Sequence, residues 1–181
     1  MSERLPSQRT ALKLLVESGC SPQVIKHCKT VMRLAVQIAE NCKKKGLNVD
    51  VQLVRIGALL HDIGRSKTHS VDHVIAGVQI AEELGLSNSI VSIIERHAGG
   101  GISRDEAKKL GWPVKDYLPR TLEEKIVTYA DKLIERSEIV GVERTISKLS
   151  KDLGEDHPAI RRIKQLHKEF SPLVGDLATR K

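Results

Sequence analysis

The stretch that decides the fold of this chain is DVQLVRIGALLHDIGR, residues Asp50 to Arg65. Its first part is apolar on nearly every side, which is typical of a helix that is buried all round. The apolar run ends at the pair His61-Asp62, and Gly64 follows as a helix breaker. The stretch therefore predicts a buried helix from about Asp50 to Leu60 with two ionisable side chains at its C-terminal end.

Outward from this stretch, the chain reads as a series of further helices. Ser21-Pro22 is a favourable helix start, and the apolar residues after it recur at steps of three and four. Capping boxes at Ser103/Glu106 and Thr121/Glu124 predict two later helices. With only 2% aromatic residues, the core must consist mainly of Leu, Ile, Val and Ala. The prediction is an all-α, single-domain chain of 181 residues, with helices at about 7–18, 21–46, 50–60, 71–84, 88–97, 103–111, from 121 onward, 142–153 and 158–170.

Several ionisable residues recur on the apolar faces of these helices or at their ends. They are His27, His61, Asp62, His73, His97 and Asp131. A buried carboxylate or imidazole needs hydrogen bonds, an opposite charge or a metal. A lone inward histidine is most often a hydrogen-bonded core residue, and His167, which has no companion motif, is interpreted in that way. The joint pattern of the other six predicts a metal site.

The motif LLHDIGR at Leu59–Arg65 resembles the signature of the HD superfamily of metal-dependent phosphohydrolases, HDIG subgroup. The resemblance covers roughly 21–134 and implies a compact multi-helix HD-domain bundle, with an HD core at about 21–136 and the C-terminal helices 142–170 packed on it. It also implies metal ligation by a histidine of an early helix, the HD pair and a late aspartate. By motif position these are His27, His61, Asp62 and Asp131, the last within YADKL.

Subgroups of this superfamily that bind two metals carry additional histidines between the HD pair and the late aspartate. His73 in DHVIAG and His97 in ERHAGGG look like those additions, which implies that Asp62 bridges two ions. Single-metal subgroups often place an acidic catalytic residue in this region, and Glu82 or Glu83 could take that role. The two histidines favour the two-metal alternative.

Imidazole and carboxylate ligands together suit Mn, Fe, Co, Ni or Zn better than Ca or Mg. The resemblance implies a metal-activated hydroxide as the nucleophile, with Asp62 as a catalytic residue. Arg65 is a candidate catalytic and substrate-binding residue, and Lys67 a candidate phosphate ligand. A pair of surface cations in a loop is an equally good interpretation of Arg65 and Lys67. Many relatives have Lys at the position of Arg65, so the role of that Lys does not transfer directly.

The segment 99–120 lies between the last predicted histidine ligand and the helix of Asp131, and is a candidate substrate lid. It contains Trp112 and Tyr117, half of the aromatic residues of the chain. These rings could stack on a nucleobase, although packing of a loop onto the core is the more common use of such residues.

The function that the resemblance implies is hydrolysis of a phosphate ester or anhydride, in a nucleotide, dinucleotide or cyclic nucleotide. The alternative is a non-catalytic, metal-containing regulatory module that binds a nucleotide or RNA. The net charge of +7, concentrated in residues 1–46 with nine Lys/Arg against three Asp/Glu, permits a nucleic-acid partner, but the scarcity of aromatics argues against a base-stacking platform. The chain has no apolar run of membrane-spanning length and no signal peptide, so we expect a cytoplasmic protein with reduced cysteines.

Overall fold

The structure is a computed structural model that describes residues 5–174. Within this range the chain forms nine α-helices, and the all-α prediction is confirmed. The helices are α1 (Gln8–Glu17), α2 (Pro22–Lys44), α3 (Val51–Leu60), α4 (His73–Glu83), α5 (Asn88–Arg96), α6 (Arg104–Lys109), α7 (Leu122–Lys132), α8 (Val142–Leu153) and α9 (Pro158–Val174). Short 3-10 turns lie at Ile63–Ser66 and Ala98–Gly100, and a two-stranded hairpin pairs β1 (Ile134–Glu135) with β2 (Glu138–Ile139).

Six of the nine described helices begin where a side-chain oxygen can accept a hydrogen bond from the first helical turn. This residue is a Ser, Thr or Asp immediately before α1, α2, α3, α5, α6 and α7. Both predicted capping boxes are present, Ser103 with Glu106 and Thr121 with Glu124. Such caps satisfy backbone N–H groups that a helix leaves without partners, so helix starts could be predicted from local sequence.

Two boundaries differ from the sequence prediction. Helix α9 continues past Phe170 to Val174, where the carbonyls of Leu173 and Val174 accept hydrogen bonds from the α2 side chains Asn41 (2.8 Å) and Gln37 (3.3 Å). At the end of α7, the carbonyl of Lys132 accepts a hydrogen bond from the Thr145 hydroxyl at 2.6 Å. The chain then enters the hairpin, so Ile134 lies in a strand and not in the helix.

Helix α3 lies at the centre of the core, in contact with α1, α2, α5 and α7. Every residue from Ile56 to Leu60 is buried, as the apolar sequence of this helix predicts. Gly57 allows a close approach of α5, because a Cβ atom at this position would lie 2.4 Å from Ile93 Cδ1. No helix of the described range 5–174 is both long and apolar enough to cross a membrane.

Gly64 brings the HD pair close to α4. A Cβ atom on Gly64 would lie 1.9 Å from the backbone oxygen of His73 and 2.5 Å from the backbone nitrogen of Gly77. Only a residue without a side chain fits between these backbones. The glycine of the HDIG motif thus sets the distance between Asp62 and His73, the first residue of α4.

A second, smaller apolar cluster holds the segment 99–120. It contains Val74, Ala98, Ile102, Ala107, Trp112 and Tyr117. Trp112 and Tyr117 are buried with their ring centroids 5.3 Å apart, and Trp112 Nε1 donates to Asp72 Oδ1 at 2.7 Å. Both rings therefore pack the segment onto α4, which is the more common of the two roles that the sequence allowed.

Candidate metal centre

The six predicted ligands converge from five helices. His61 caps the C-terminal end of α3 with Asp62 after it, His73 begins α4, and His97 caps α5. His27 lies in the second turn of α2 and Asp131 in the last turn of α7. The structure brings all six side chains into one cluster.

Two of the histidines face one oxygen of Asp62 and also face Asp131. His27 Nε2 and His61 Nε2 each lie 3.7 Å from Asp62 Oδ2. Both nitrogens also face Asp131 Oδ1, at 2.9 Å and 3.4 Å respectively. The ligand atoms of His27, His61 and Asp131 lie within 4.8 Å of one another, so a single cation can reach all three.

The other oxygen of Asp62 faces the remaining two histidines. His73 Nε2 lies 3.2 Å and His97 Nε2 3.4 Å from Asp62 Oδ1, and the two nitrogens are 3.1 Å apart. The Asp62 carboxylate therefore has one ligand group at each oxygen, which is the arrangement expected of a carboxylate that bridges two cations.

All four histidines present the same ring nitrogen to the cluster. Their Nδ1 atoms lie 2.7–2.9 Å from backbone carbonyl oxygens of Arg136, Ala58, Ser70 and Ile94, for His27, His61, His73 and His97 respectively. A carbonyl can only accept, so each Nδ1 carries the proton and donates it. In the neutral imidazole each Nε2 then keeps its lone pair, the tautomer that metal-binding histidines use.

With these tautomers, hydrogen-bond acceptor atoms face one another at short distances. Their mutual repulsion can be offset only by a positive charge between them. His27 Nε2 faces a carboxylate oxygen, and His73 Nε2 faces His97 Nε2. His61 Nε2 and Asp62 Oδ1 are buried without a hydrogen-bond partner. Buried polar atoms are rarely left unpaired in native proteins, so the donor set fits divalent cations.

The electrostatics of the histidines are consistent with this interpretation. Burial disfavours the charged imidazolium of His97 and lowers its pKa to about 4, an effect that Asp62 only partly offsets. The same burial acts on His61, but Asp62 and Asp131 outweigh it and raise the pKa of His61. His97 is therefore neutral and available as a ligand near neutral pH.

The two carboxylates are held in the ionised form. Burial alone would raise the pKa of Asp62, yet the surrounding imidazoles hold it well below the usual value. The pKa of Asp131 is also well below its usual value, because the charge of Lys132 and the neighbouring imidazoles of His27 and His61 outweigh burial. Lys132 Nζ donates to Asp131 Oδ2 at 2.5 Å.

Two cavities meet at this cluster. The smaller has a volume of about 620 Å³ and includes His73 and His97 in its lining. The larger, of about 1200 Å³, includes His27 and Asp62. Both are lined by Arg65, Asp131 and Lys132, so the predicted metal ligands lie where the two cavities join.

A comparison with known protein families matches the part of the chain that carries these six residues. The HD domain family matches residues 24–135, more than half of the chain and the whole span of the six ligands. The chain belongs to the HD domain family. Membership of the HDIG subgroup stays a prediction.

The relatives of this HD protein include one of similar length and one about twice as long. It is 48% identical over 160 residues to an uncharacterized protein of Methanocaldococcus jannaschii, covering 88% of this chain and 95% of the relative. It is 42% identical over 172 residues to the tRNA (cytidine(56)-2'-O)-methyltransferase of Picrophilus torridus. That match covers 94% of this chain but 48% of the methyltransferase, so the chain spans about half the length of that relative.

Among solved structures, the fold is similar to the HD domain of the Listeria monocytogenes phosphodiesterase PgpH in complex with cyclic-di-AMP. The TM-score is 0.56 at 21% sequence identity, covering 95% of this chain and 98% of the PgpH chain. At this identity the similarity establishes the all-helical HD fold.

The HD motif is followed by two predicted phosphate ligands that lie in different surroundings. Arg65 Nε donates to Asp62 Oδ2 at 2.7 Å, and Arg65 lines both cavities. Lys67 is exposed and is not part of either cavity lining. Lys132, which our sequence analysis missed, is the cation beside Asp131, and its position directly after that ligand in YADKL was the available signal.

The acidic candidates for a single-metal site lie outside the cluster. Glu82 and Glu83 are exposed at the C-terminal end of α4, whereas His73 is at the N-terminal end of the same helix. Ten residues of helix separate His73 from Glu83, about 15 Å along the axis. Neither glutamate lines the cavities that meet at the ligands.

Proposed function

We propose that this HD protein is a metal-dependent phosphohydrolase that holds two divalent ions. His27, His61 and Asp131 would bind one ion, His73 and His97 the other, and Asp62 would bridge them. The observation that carries the proposal is the surroundings of the Asp62 carboxylate. Two histidines face each of its oxygens, and every Nε2 atom is directed into the cluster.

The ions we expect are Mn, Fe, Co, Ni or Zn, because the ligand set mixes imidazole and carboxylate. When bound, such ions act as Lewis acids toward phosphoryl oxygens, and they lower the pKa of a bound water to about 7. The backbone carbonyls that hold each Nδ1 keep the four imidazoles oriented toward the cluster, as outer partners of metal ligands commonly do.

The chain itself supplies charge for the phosphate group. Arg65 and Lys132 both line the two cavities, and each is held by one ligand carboxylate. An arginine can offer two parallel hydrogen bonds to a phosphate, whereas a lysine acts as a point charge. We expect Arg65, as a candidate catalytic and substrate-binding residue, to orient the scissile phosphate, with Lys132 offsetting its negative charge. Lys67 remains a prediction from the motif alone.

The substrate class we propose is a nucleotide, dinucleotide or cyclic nucleotide with a phosphate ester or anhydride. The PgpH structure is that of a phosphodiesterase HD domain with a cyclic dinucleotide, which supports this class. The smaller cavity, about 620 Å³, is within the usual volume range for small-molecule sites.

The test combines metal analysis with turnover. We expect purified wild-type protein to contain two transition-metal ions per chain and the His97→Ala variant to contain one, measured by inductively coupled plasma mass spectrometry. Turnover of bis(p-nitrophenyl) phosphate and of a nucleotide panel should be metal-dependent and should fall about a hundredfold or more in the variant. A single ion that His97→Ala leaves in place would contradict the two-metal site.

A second candidate is a non-catalytic, metal-containing module that binds RNA. The relative that modifies tRNA supports it, because this chain matches about half of that protein. Metal-loaded protein without turnover of any compound in the panel would favour this alternative.

A further inference from the structure

We propose that the larger cavity binds the phosphate backbone of a single-stranded nucleic acid, which continues beyond the scissile phosphate. This inference rests on the proposed function, whose substrate it extends from a small nucleotide to a strand. The residues that carry it lie outside the metal ligands, on the rim of the cavity.

The rim is formed by cations from three separate parts of the chain. Lys26 is on α2, Arg136 is in the turn of the hairpin, and Arg144 and Lys148 are on α8. The last two are four residues apart and so share one helix face, with 70% and 69% of their side chains exposed. We name these four residues the rim cations.

Acidic residues of the same cavity offset only part of this charge. Glu135 pairs with Arg144 at 2.5 Å and lies 4.0 Å from Lys148, and Glu138 is the other acid of the rim. Four rim cations against two glutamates leave an excess of two positive charges. The acids at the floor, Asp62 and Asp131, are metal ligands in the proposed site.

The smaller cavity has a different character, which suggests where a nucleoside would bind. Its lining includes Ile102, Leu110, Leu149 and Leu153. A substrate whose scissile phosphate lies at the junction of the two cavities would place a nucleoside against this apolar wall and its following phosphates along the rim cations. Inorganic polyphosphate has no apolar part that could use the smaller cavity.

The geometry favours a single strand over a duplex, and backbone recognition over base recognition. His61 and Asp62 are buried, with Asp62 at the bottom of the cavity, where a flexible single strand can bend a phosphate toward them more easily than a stiff duplex can. No Phe, Tyr or Trp lines the larger cavity, so it offers no stacking platform. Its volume of about 1200 Å³ also exceeds the range typical of small-molecule sites. Binding should therefore depend on salt and little on base sequence.

The test is fluorescence anisotropy of a labelled single strand of about 12 nucleotides. It compares metal-loaded wild type, the double variant Arg144→Ser/Lys148→Ser, and the control Lys43→Ser/Lys44→Ser. The control removes the same charge from exposed residues at the other end of α2, roughly 25 Å along the helix from Lys26.

Four phosphate contacts predict a slope of about −2.8 for log affinity against log salt, and two contacts a slope of about −1.4. At about 0.1 M salt the rim variant should bind about 25-fold more weakly, and the control should match wild type. Equal binding by the rim variant and the control would overturn the inference. So would equal affinity for a dinucleotide and the strand, or equally tight binding of inorganic polyphosphate of the same charge.

Turnover of bis(p-nitrophenyl) phosphate, measured in parallel, separates this inference from the proposed function. Strand binding without turnover would reject the hydrolase and leave the rim assignment intact. Turnover by a protein that does not bind the strand would reject the rim assignment alone.

Discussion

At the scale of single residues, Asp62 is the side chain on which both halves of the proposed metal centre depend. Its two oxygens face different histidine pairs, and its second neighbour is the guanidinium of Arg65. A carboxamide has almost the same shape but carries no charge and offers only one oxygen. Replacing Asp62 therefore tests the bridge with little change in volume.

We predict that Asp62→Asn loses metal at both sites and that phosphodiester turnover falls at least about a hundredfold. Metal content per chain and kcat/KM are the measurements. Asp156→Asn, the same change at an exposed position, should leave both unchanged. Retention of one full equivalent of metal by Asp62→Asn would mean that the carboxylate does not bridge.

Gly64 is the second residue on which the shape of the site depends, because it lies in close contact with the backbone of α4. We predict that Gly64→Ala lowers the free energy of unfolding by about 3 kcal/mol or more, since the new methyl group would meet the His73 carbonyl. Chemical denaturation measures this change. Gly57→Ala is the comparison: its Cβ would meet the side chain of Ile93, which can rotate, so the cost should be smaller. Equal costs would show that α4 can move away from the HD turn.

At the scale of helices, α5 and α7 are joined beside the metal site by a buried ion pair. Glu124, 3% exposed, accepts a hydrogen bond from Arg96 Nη1 at 2.7 Å and caps the start of α7 through the backbone N–H groups of Arg120 and Thr121. Arg96 directly precedes the ligand His97, so this pair positions the end of α5 relative to α7.

We predict that Glu124→Gln lowers the free energy of unfolding by about 2–3 kcal/mol, because Arg96 would lose its nearer charged partner in a largely buried setting and keep only Glu95, at 3.7 Å. Urea denaturation monitored by circular dichroism measures it. Glu83→Gln, at an exposed position, should change stability by less than about 0.5 kcal/mol. It should also retain full turnover, and a large loss of turnover there would revive the single-metal alternative.

At the scale of the whole molecule, five helix segments bring the candidate ligands to one point, where protons would compete with metal ions for them. Burial lowers the pKa of His61 in the metal-free protein, but Asp62 and Asp131 outweigh this effect and the pKa is raised. A raised pKa means that His61 takes up a proton at higher pH than an isolated histidine, so acid displaces metal there readily.

We predict that bound metal and turnover fall together below about pH 6 and recover when the protein is returned to pH 7.5 with metal. Metal content after dialysis and activity at each pH are the readouts. Circular dichroism at the same pH values distinguishes metal release from unfolding. Full metal content at about pH 5 would contradict the proposed ligation by neutral imidazoles.

The amino-acid sequence by itself determined the helices and pointed to the six candidate ligands. Caps such as Ser21, Asp50 and Thr121 act through hydrogen bonds to residues two or three positions away, so local sequence reports them. The six inward ionisable residues could be found because burying them without partners is costly. The fold class could also be predicted from the sequence, because helix caps and apolar periodicity are local features.

Only the tertiary structure decided how those parts combine. The carbonyl of Arg136 that orients His27, the placement of two histidines at each oxygen of Asp62 and the grouping of the rim cations all depend on packing between segments far apart in sequence. The hairpin at β1–β2 and the extension of α9 to Val174 also depend on such contacts, with Thr145, Gln37 and Asn41. Local periodicity reports which side of a helix is buried, but not which distant backbone or side chain lies opposite it.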